Sequence, residues 1–233
     1  DLRAVKDESE IDAIGAAARV AETALEGLLT AVEWHSEPTE LDVATALEHE
    51  LRRAGSEGLP FEVIVAGGER TSLPHAAPSS RRVRTGDLVL IDFGAIVDGY
   101  CSDITRTFIV GDPADWQTEI HGRVLEAQAA AIEAIAPGAS GVEVDRAARD
   151  CLAAHDLDRY FGHSTGHGIG LEVHEEPRLS TRSEDVLEPG NVVTVEPGVY
   201  LPGRGGVRIE DDVAVTRDGS RVLTSIRRDL VRV

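Results

Sequence analysis

The stretch that most restricts this chain is Leu88-Val-Leu-Ile-Asp92-Phe-Gly94-Ala-Ile-Val97-Asp98-Gly99-Tyr100-Cys101-Ser102-Asp103-Ile-Thr105-Arg106-Thr-Phe108. Two apolar, β-branched runs flank Asp98-Gly99, a dipeptide that tolerates the positive φ of a tight type I′ hairpin turn. With those two residues as the turn, Val97 faces Tyr100, Ala95 faces Ser102 and Gly94 faces Asp103. Side chains alternate along a strand, so Asp92 shares a face with Gly94 and with Asp103. The two carboxylates become diagonal cross-strand neighbours, about 7–8 Å apart at the backbone. Two acids among Ile, Leu and Val repel one another, and burying them unpaired is costly. A solvated hairpin face avoids that cost; a cation between the acids offsets it.

The rest of the chain reads as helix, helix, then strands, twice over about a hundred residues each. A helix spans Asp7 to Val32, opened by a capping box of Asp7 and Glu10, with an apolar stripe of Ile11, Ile14, Ala18 and Leu25. A second starts at Pro38-Thr39, carries Leu41, Ala44, Leu47 and Leu51 on one face, and stops at Gly55. Phe61–Ala66 is strand-like, and residues 67–80 form a loop carrying His75. After the hairpin a long helix runs from Pro113 to about Ile135, and Ser140 with Glu143 caps another to about His155. Strand-like runs follow near Gly170–His174, Asn191–Glu196, Val207–Val215 and Arg221–Ile226. The predicted class is α+β, with strands in a sheet and helices outside it. The pattern divides into related halves, about 1–111 and 112–233, although residue identities barely match between them.

Composition narrows the partners. With 233 residues and 42% hydrophobic content the chain can bury a proper core. Its 42 acids against 23 bases give a net charge of −19, which argues against nucleic acid or an anionic membrane as partner. No apolar run approaches the ~20 residues of a membrane span, and no secretory signal opens the chain. Two cysteines, Cys101 and Cys151, make no disulfide framework, which fits a reducing cytoplasm. Cys101 points to the face of Asp103 but reads as a small core residue rather than a ligand. Methionine is absent altogether, so a fragment, processed form or excised domain is expected.

The second half adds the polar groups a metal site needs. His163-Ser-Thr-Gly-His167-Gly-Ile-Gly170-Leu-Glu-Val-His174 places three histidines among glycines, which permit close backbone approach. Glu196 in Val-Thr-Val-Glu-Pro-Gly and Glu210 in Val-Arg-Ile-Glu-Asp-Asp each interrupt an apolar run. Alone, each Glu reads as a surface residue and each His as a satisfied core or surface group. Together with Asp92 and Asp103 they have the composition of a dinuclear site: four carboxylates, one imidazole and no thiolate. Such ligands suit Mn, Co, Zn or Fe(II). A mononuclear iron oxygenase needs only two His and one carboxylate, and the surplus acids disfavour it.

In these motifs the chain resembles the pita-bread metallopeptidases: prolidase, aminopeptidase P and methionine aminopeptidase. The resemblance covers nearly the whole chain, from Leu2-Arg-Ala-Val-Lys-Asp-Glu to the final strands. It implies a pita-bread fold with a curved, mostly antiparallel sheet. It also implies two divalent ions per chain, manganese first, with cobalt, zinc or iron as alternatives. The implied ligands are Asp92, Asp103, His167, Glu196 and Glu210, with Asp103 and Glu210 bridging both ions. His75 and His174 match two histidines at the reaction centre, Glu196 the proton shuttle, and Arg208 an arginine close to the bridging Glu. Val-Arg-Ile-Glu-Asp-Asp resembles the Xaa-Pro branch, and Leu171-Glu-Val-His-Glu-Glu-Pro-Arg178 looks closer to prolidase than to aminopeptidase P. Arg178 is then expected to bind the substrate carboxylate. That branch carries an N-terminal domain ahead of the catalytic one, and the resemblance leads us to expect a catalytic domain without it here.

The implied activity is hydrolysis of the Xaa-Pro bond in dipeptides or short peptides by a metal-bridged hydroxide. The alternatives are an aminopeptidase P-like enzyme acting on longer peptides and a catalytically silent pita-bread binding module. A homodimer is left open.

Overall fold

The computed structural model describes residues 2–233. Helix α1, Glu8–Ala31, is opened by the Asp7–Glu10 capping box and buries Ile11, Ile14, Ala18 and Leu25. Helix α2, Glu40–Ala54, is capped by Thr39 and ends at Gly55 in the left-handed conformation. Its buried stripe is Val43, Ala44, Leu47 and Leu51, while Leu41 is exposed. Beside that stripe Glu40, not Leu41, turns inward: its carboxylate accepts from the Gly67 and Ser79 amides at 2.8 and 3.0 Å and pairs with Arg70. Strand β1 is shorter than the apolar run that announced it, Ile64–Gly67.

The hairpin keeps one register from end to end. Strands β2, Leu88–Phe93, and β5, Ile104–Ile109, pair from Leu88 with Ile109 to Phe93 with Ile104. Between them the short β3, Ile96–Val97, pairs with β4, Tyr100–Cys101, around a turn whose Asp98 and Gly99 both have positive φ, 51° and 79°. Regular pairing lapses at Gly94-Ala95 and Ser102-Asp103. There the backbones lie so close that a Cβ on Gly94 would sit 1.9 Å from the Ser102 carbonyl oxygen.

Two further helices, α3 (Asp115–Glu133) and α4 (Gly141–Ala153), follow; Ser140 and Glu143 cap the latter. The remaining strands are β6 (Gly166–Gly168), β7 (Glu175–Leu179), β8 (Val192–Val195), β9 (Gly198–Leu201), β10 (Gly205–Arg208), β11 (Asp211–Thr216), β12 (Gly219–Val222) and β13 (Val231–Arg232). One sheet has the order β1-β2-β5-β13 and a second β12-β11-β8-β6-β7, with β9 and β10 paired separately. All pairings are antiparallel except β13 with β5. The first sheet shares a core with α1 and α2, the second with α3 and α4.

Three strand assignments need correction. Residues 170–174 are a turn, because the Glu175 side chain folds back onto the Glu172 amide at 3.1 Å. The run 207–215 breaks at Ile209-Glu210, where the Glu210 amide leaves its own sheet and donates to the Thr105 carbonyl at 3.1 Å. The last predicted strand ends at Val222, and the Ser225 and Ile226 amides beyond it donate to the carboxylate of Glu22 on α1. β6, β7, β9 and β13 have no counterpart in the sequence reading.

Candidate metal centre

The lapse in the hairpin and the break before β11 face each other across the two sheets. Asp92 is the penultimate residue of β2, Asp103 precedes β5, His167 sits in β6, Glu196 follows β8, and Glu210 occupies the break. All five line one cavity of about 390 Å³, together with His75, His174, Arg178 and Arg208. One ligand atom each from Asp103, His167 and Glu210 lies within 4.8 Å of the others. His167 Nε2 stands 3.4 Å from Glu196 and 3.8 Å from Asp103.

Burial sets the protonation of this cluster. It pushes Asp103 and Glu210 well above the usual carboxylate range, reinforced by their neighbouring acids. It raises Glu196 to about 8 despite the opposing charge of Arg208. The same burial lowers His167 to about 4, so its ring is neutral near pH 7. Nδ1 contacts the Gly168 carbonyl at 3.0 Å and must carry the proton there. Nε2 then presents a lone pair to carboxylate oxygens. Acceptors facing acceptors require a cation or a shared proton between them.

Around the cluster a second set of contacts fixes its members. Arg208 donates to Asp92 Oδ2 at 2.5 Å, to the Tyr200 hydroxyl at 2.8 Å and to the Thr105 hydroxyl at 3.0 Å. Thr105 in turn donates to Glu210 Oε2 at 2.5 Å. The arginine expected beside Glu210 therefore touches Asp92 directly and reaches Glu210 through a threonine. Asp212 accepts the Asp103 amide at 3.1 Å. Arg106 donates to the Glu210 carbonyl at 2.5 Å and to Asp211 at 2.7 Å, so the backbone bearing Glu210 is tied to the hairpin.

His163 and Tyr200 belong to the same neighbourhood, and the sequence singled out neither for a role. His163 lines the cavity, contacts the Tyr200 hydroxyl at 2.7 Å and is lowered by burial to about 3. Its place four residues before His167 was a usable signal; nothing local marked Tyr200. Thr105 was legible in principle, since it alternates with Asp103 on one face of the hairpin. His174 lies against His167, ring centroids 4.4 Å apart, and the His75 loop is held by Arg208 through the Pro74 carbonyl at 3.2 Å. Arg178 lines the cavity but is 58% exposed and lies 3.4 Å from Glu176. Cys101 is buried beside the Leu171 carbonyl and does not line the cavity.

The sequence profile of metallopeptidase family M24 matches residues 12–217. The chain belongs to that family. Among M24 relatives it is similar to the uncharacterised peptidase YqhT of Bacillus subtilis, with 48% identity over 230 residues, 99% of this chain and 65% of YqhT. It is 45% identical to the Xaa-Pro dipeptidase of Pyrococcus horikoshii over 232 residues, 99% of this chain and 65% of that protein. The crystal structure of X-Pro aminopeptidase from Thermotoga maritima superposes with a TM-score of 0.97 at 42% identity, over 100% of this chain and 65% of that one. This chain thus spans about two thirds of the length of these M24 proteins. Its fold is the pita-bread fold of M24 enzymes.

Proposed function

We propose that this chain carries the catalytic centre of a hydrolase that uses two divalent metal ions to cleave Xaa-Pro bonds in dipeptides or short peptides. Asp92, Asp103, His167, Glu196 and Glu210 would hold the ions. The observation that carries the reading is a pair of orphaned atoms: Asp92 Oδ1 and Asp103 Oδ1 are buried with no hydrogen-bond partner among the described residues. A buried carboxylate oxygen without a partner is costly unless a cation satisfies it. The oxygen-rich donor set with one imidazole favours manganese, with cobalt, zinc or iron(II) as alternatives.

When bound, such ions supply the Lewis acidity that activates water and polarises the scissile carbonyl. The chain's own groups do the rest. Glu196 would take the proton from the attacking water and pass it to the prolyl nitrogen. That nitrogen is a tertiary amide and must be protonated as it leaves. His174, lowered by burial and therefore neutral, donates a hydrogen bond as charge grows on the carbonyl oxygen, and His75 assists. Arg178 offers a guanidinium to the free carboxylate of a dipeptide.

Longer peptides form the second reading, and the exposure of Arg178 at the cavity rim favours it. The Pyrococcus relative is named a dipeptidase and the Thermotoga structure an aminopeptidase, so both specificities occur among similar proteins. We place the protein in the cytoplasm on its two free cysteines; among the described residues no helix is long and apolar enough to cross a membrane. A panel of Xaa-Pro dipeptides and longer Xaa-Pro peptides, assayed with manganese, tests the assignment. Faster turnover of dipeptides supports it, and cleavage of longer peptides alone moves it to aminopeptidase. No cleavage of either contradicts it.

A further inference from the structure

His174 stands on the turn between β6 and β7, and that turn has few supports of its own. Leu171 is half exposed, and Glu172 and His174 are exposed as well. Its backbone bonds are Gly170 N–H to the Glu172 carbonyl at 3.1 Å and Cys101 N–H to the Gly170 carbonyl at 2.8 Å. The firm anchor comes from the next residue. The Glu175 carboxylate is buried, accepts the Glu172 amide at 3.1 Å, and pairs with the Lys6 ammonium at 3.0 Å. Arg3 adds a contact to the same carboxylate. Lys6 is itself fixed, because its amide donates to the Gly190 carbonyl at 2.8 Å and Asn191 holds the Ala4 carbonyl at 2.9 Å.

Lys6 is the only lysine in the chain; every other basic side chain of that class is arginine. Space explains the exception. A Cβ on Gly170 would lie 2.9 Å from Lys6 Cε and 2.8 Å from Glu175 Oε2, so the ion pair fills the room a side chain there would take. A compact ammonium on a linear stem suits so narrow a site better than a planar guanidinium.

We propose that Lys6 and Glu175 are positioning residues whose buried ion pair fixes the turn 170–175 and thereby holds His174 at the cavity. The inference rests on the reading of His174 as a donor to the substrate carbonyl. Neither Lys6 nor Glu175 lines the cavity, so their influence on the reaction passes through His174. Removing Glu175 leaves the buried Lys6 ammonium without its partner, and removing Lys6 leaves the buried Glu175 carboxylate to the half-exposed Arg3 alone; the exposed turn is what can move to relieve either imbalance.

Lys6→Met and Glu175→Gln, made singly and together in the metal-loaded full-length protein, test the proposal. Each should lower kcat on an Xaa-Pro dipeptide by roughly ten- to a hundredfold, the scale of a small misplacement of a catalytic group. KM and bound metal should be unchanged, and hydrogen exchange should quicken in 170–175 while α3 and α4 keep their protection. Both substitutions break one pair, so the double variant should be no worse than the poorer single one. Losses that multiply in the double variant, or a loosened turn with unchanged kcat, would overturn the proposal. So would loss of protection throughout the chain, or failure of both single variants to fold. A wild-type protein that cleaves no Xaa-Pro peptide would refute the functional reading instead, and the exchange data would still judge whether the pair holds the turn.

Discussion

At the scale of single residues, the proposed roles of the neighbouring histidines are separable because His167 faces Glu196 and Asp103 as a ligand while His174 is assigned to donate to the substrate. His167→Ala should lose bound metal first, with activity following. His174→Ala should keep its metal and lose kcat by about 10²–10³, the scale for one oxyanion donor. Metal analysis beside steady-state kinetics distinguishes them, and loss of metal from the His174 variant would make that residue a ligand. Arg178 is tested by the charge of the substrate. Arg178→Ala should cost about tenfold to a hundredfold in kcat/KM on Xaa-Pro dipeptides and little on the corresponding amides, which have no carboxylate to pair. Equal losses on both would make Arg178 structural.

At the scale of elements, the hairpin was legible because two local rules agreed. Asp98-Gly99 dictated the turn, and period-two alternation then placed Asp92 and Asp103 on one face; the observed register, Val97 with Tyr100 and Asp92 with Thr105, matches that count. The capping boxes at Asp7 and Ser140 marked helix starts for the same reason, since both partners lie within four residues. What the sequence hid depends on contacts between distant segments. The break at Glu210 exists because its amide bonds to Thr105, and Tyr200 joins the site only through Arg208 and His163. The hairpin's geometry makes its own prediction. Gly94→Ala would drive a Cβ to 1.9 Å from the Ser102 carbonyl, so the strands must separate beside Asp92 and Asp103. Calorimetry should show a lower Tm and a metal titration a weaker affinity; an unchanged affinity would mean that the lapse in pairing does not position the two acids.

At the scale of the whole molecule, the site couples stability to pH with a sign that can be worked out. Native Glu196 keeps its proton to about pH 8, whereas unfolded it releases it near 4.5, so over that window the native state binds more protons and stability falls as pH rises. Asp103 and Glu210, also raised by burial, act in the same direction. His163 and His167, lowered to about 3 and 4, act oppositely, but their contribution is complete once pH passes their ordinary value of 6.5. Metal-free protein should therefore lose Tm between pH 6.5 and 8. Manganese should remove that loss, because ligands bind metal in their deprotonated form. A Tm that stays flat or rises over this range without metal would contradict the protonation scheme. The most direct test of the central claim is a titration of chelator-treated protein with manganese, following hydrolysis of an Xaa-Pro dipeptide. The account predicts no activity without metal, a rise that saturates at two ions bound per chain, and failure of Asp103→Asn to bind both. Full hydrolysis in the presence of chelator, or saturation at a single ion, would contradict it.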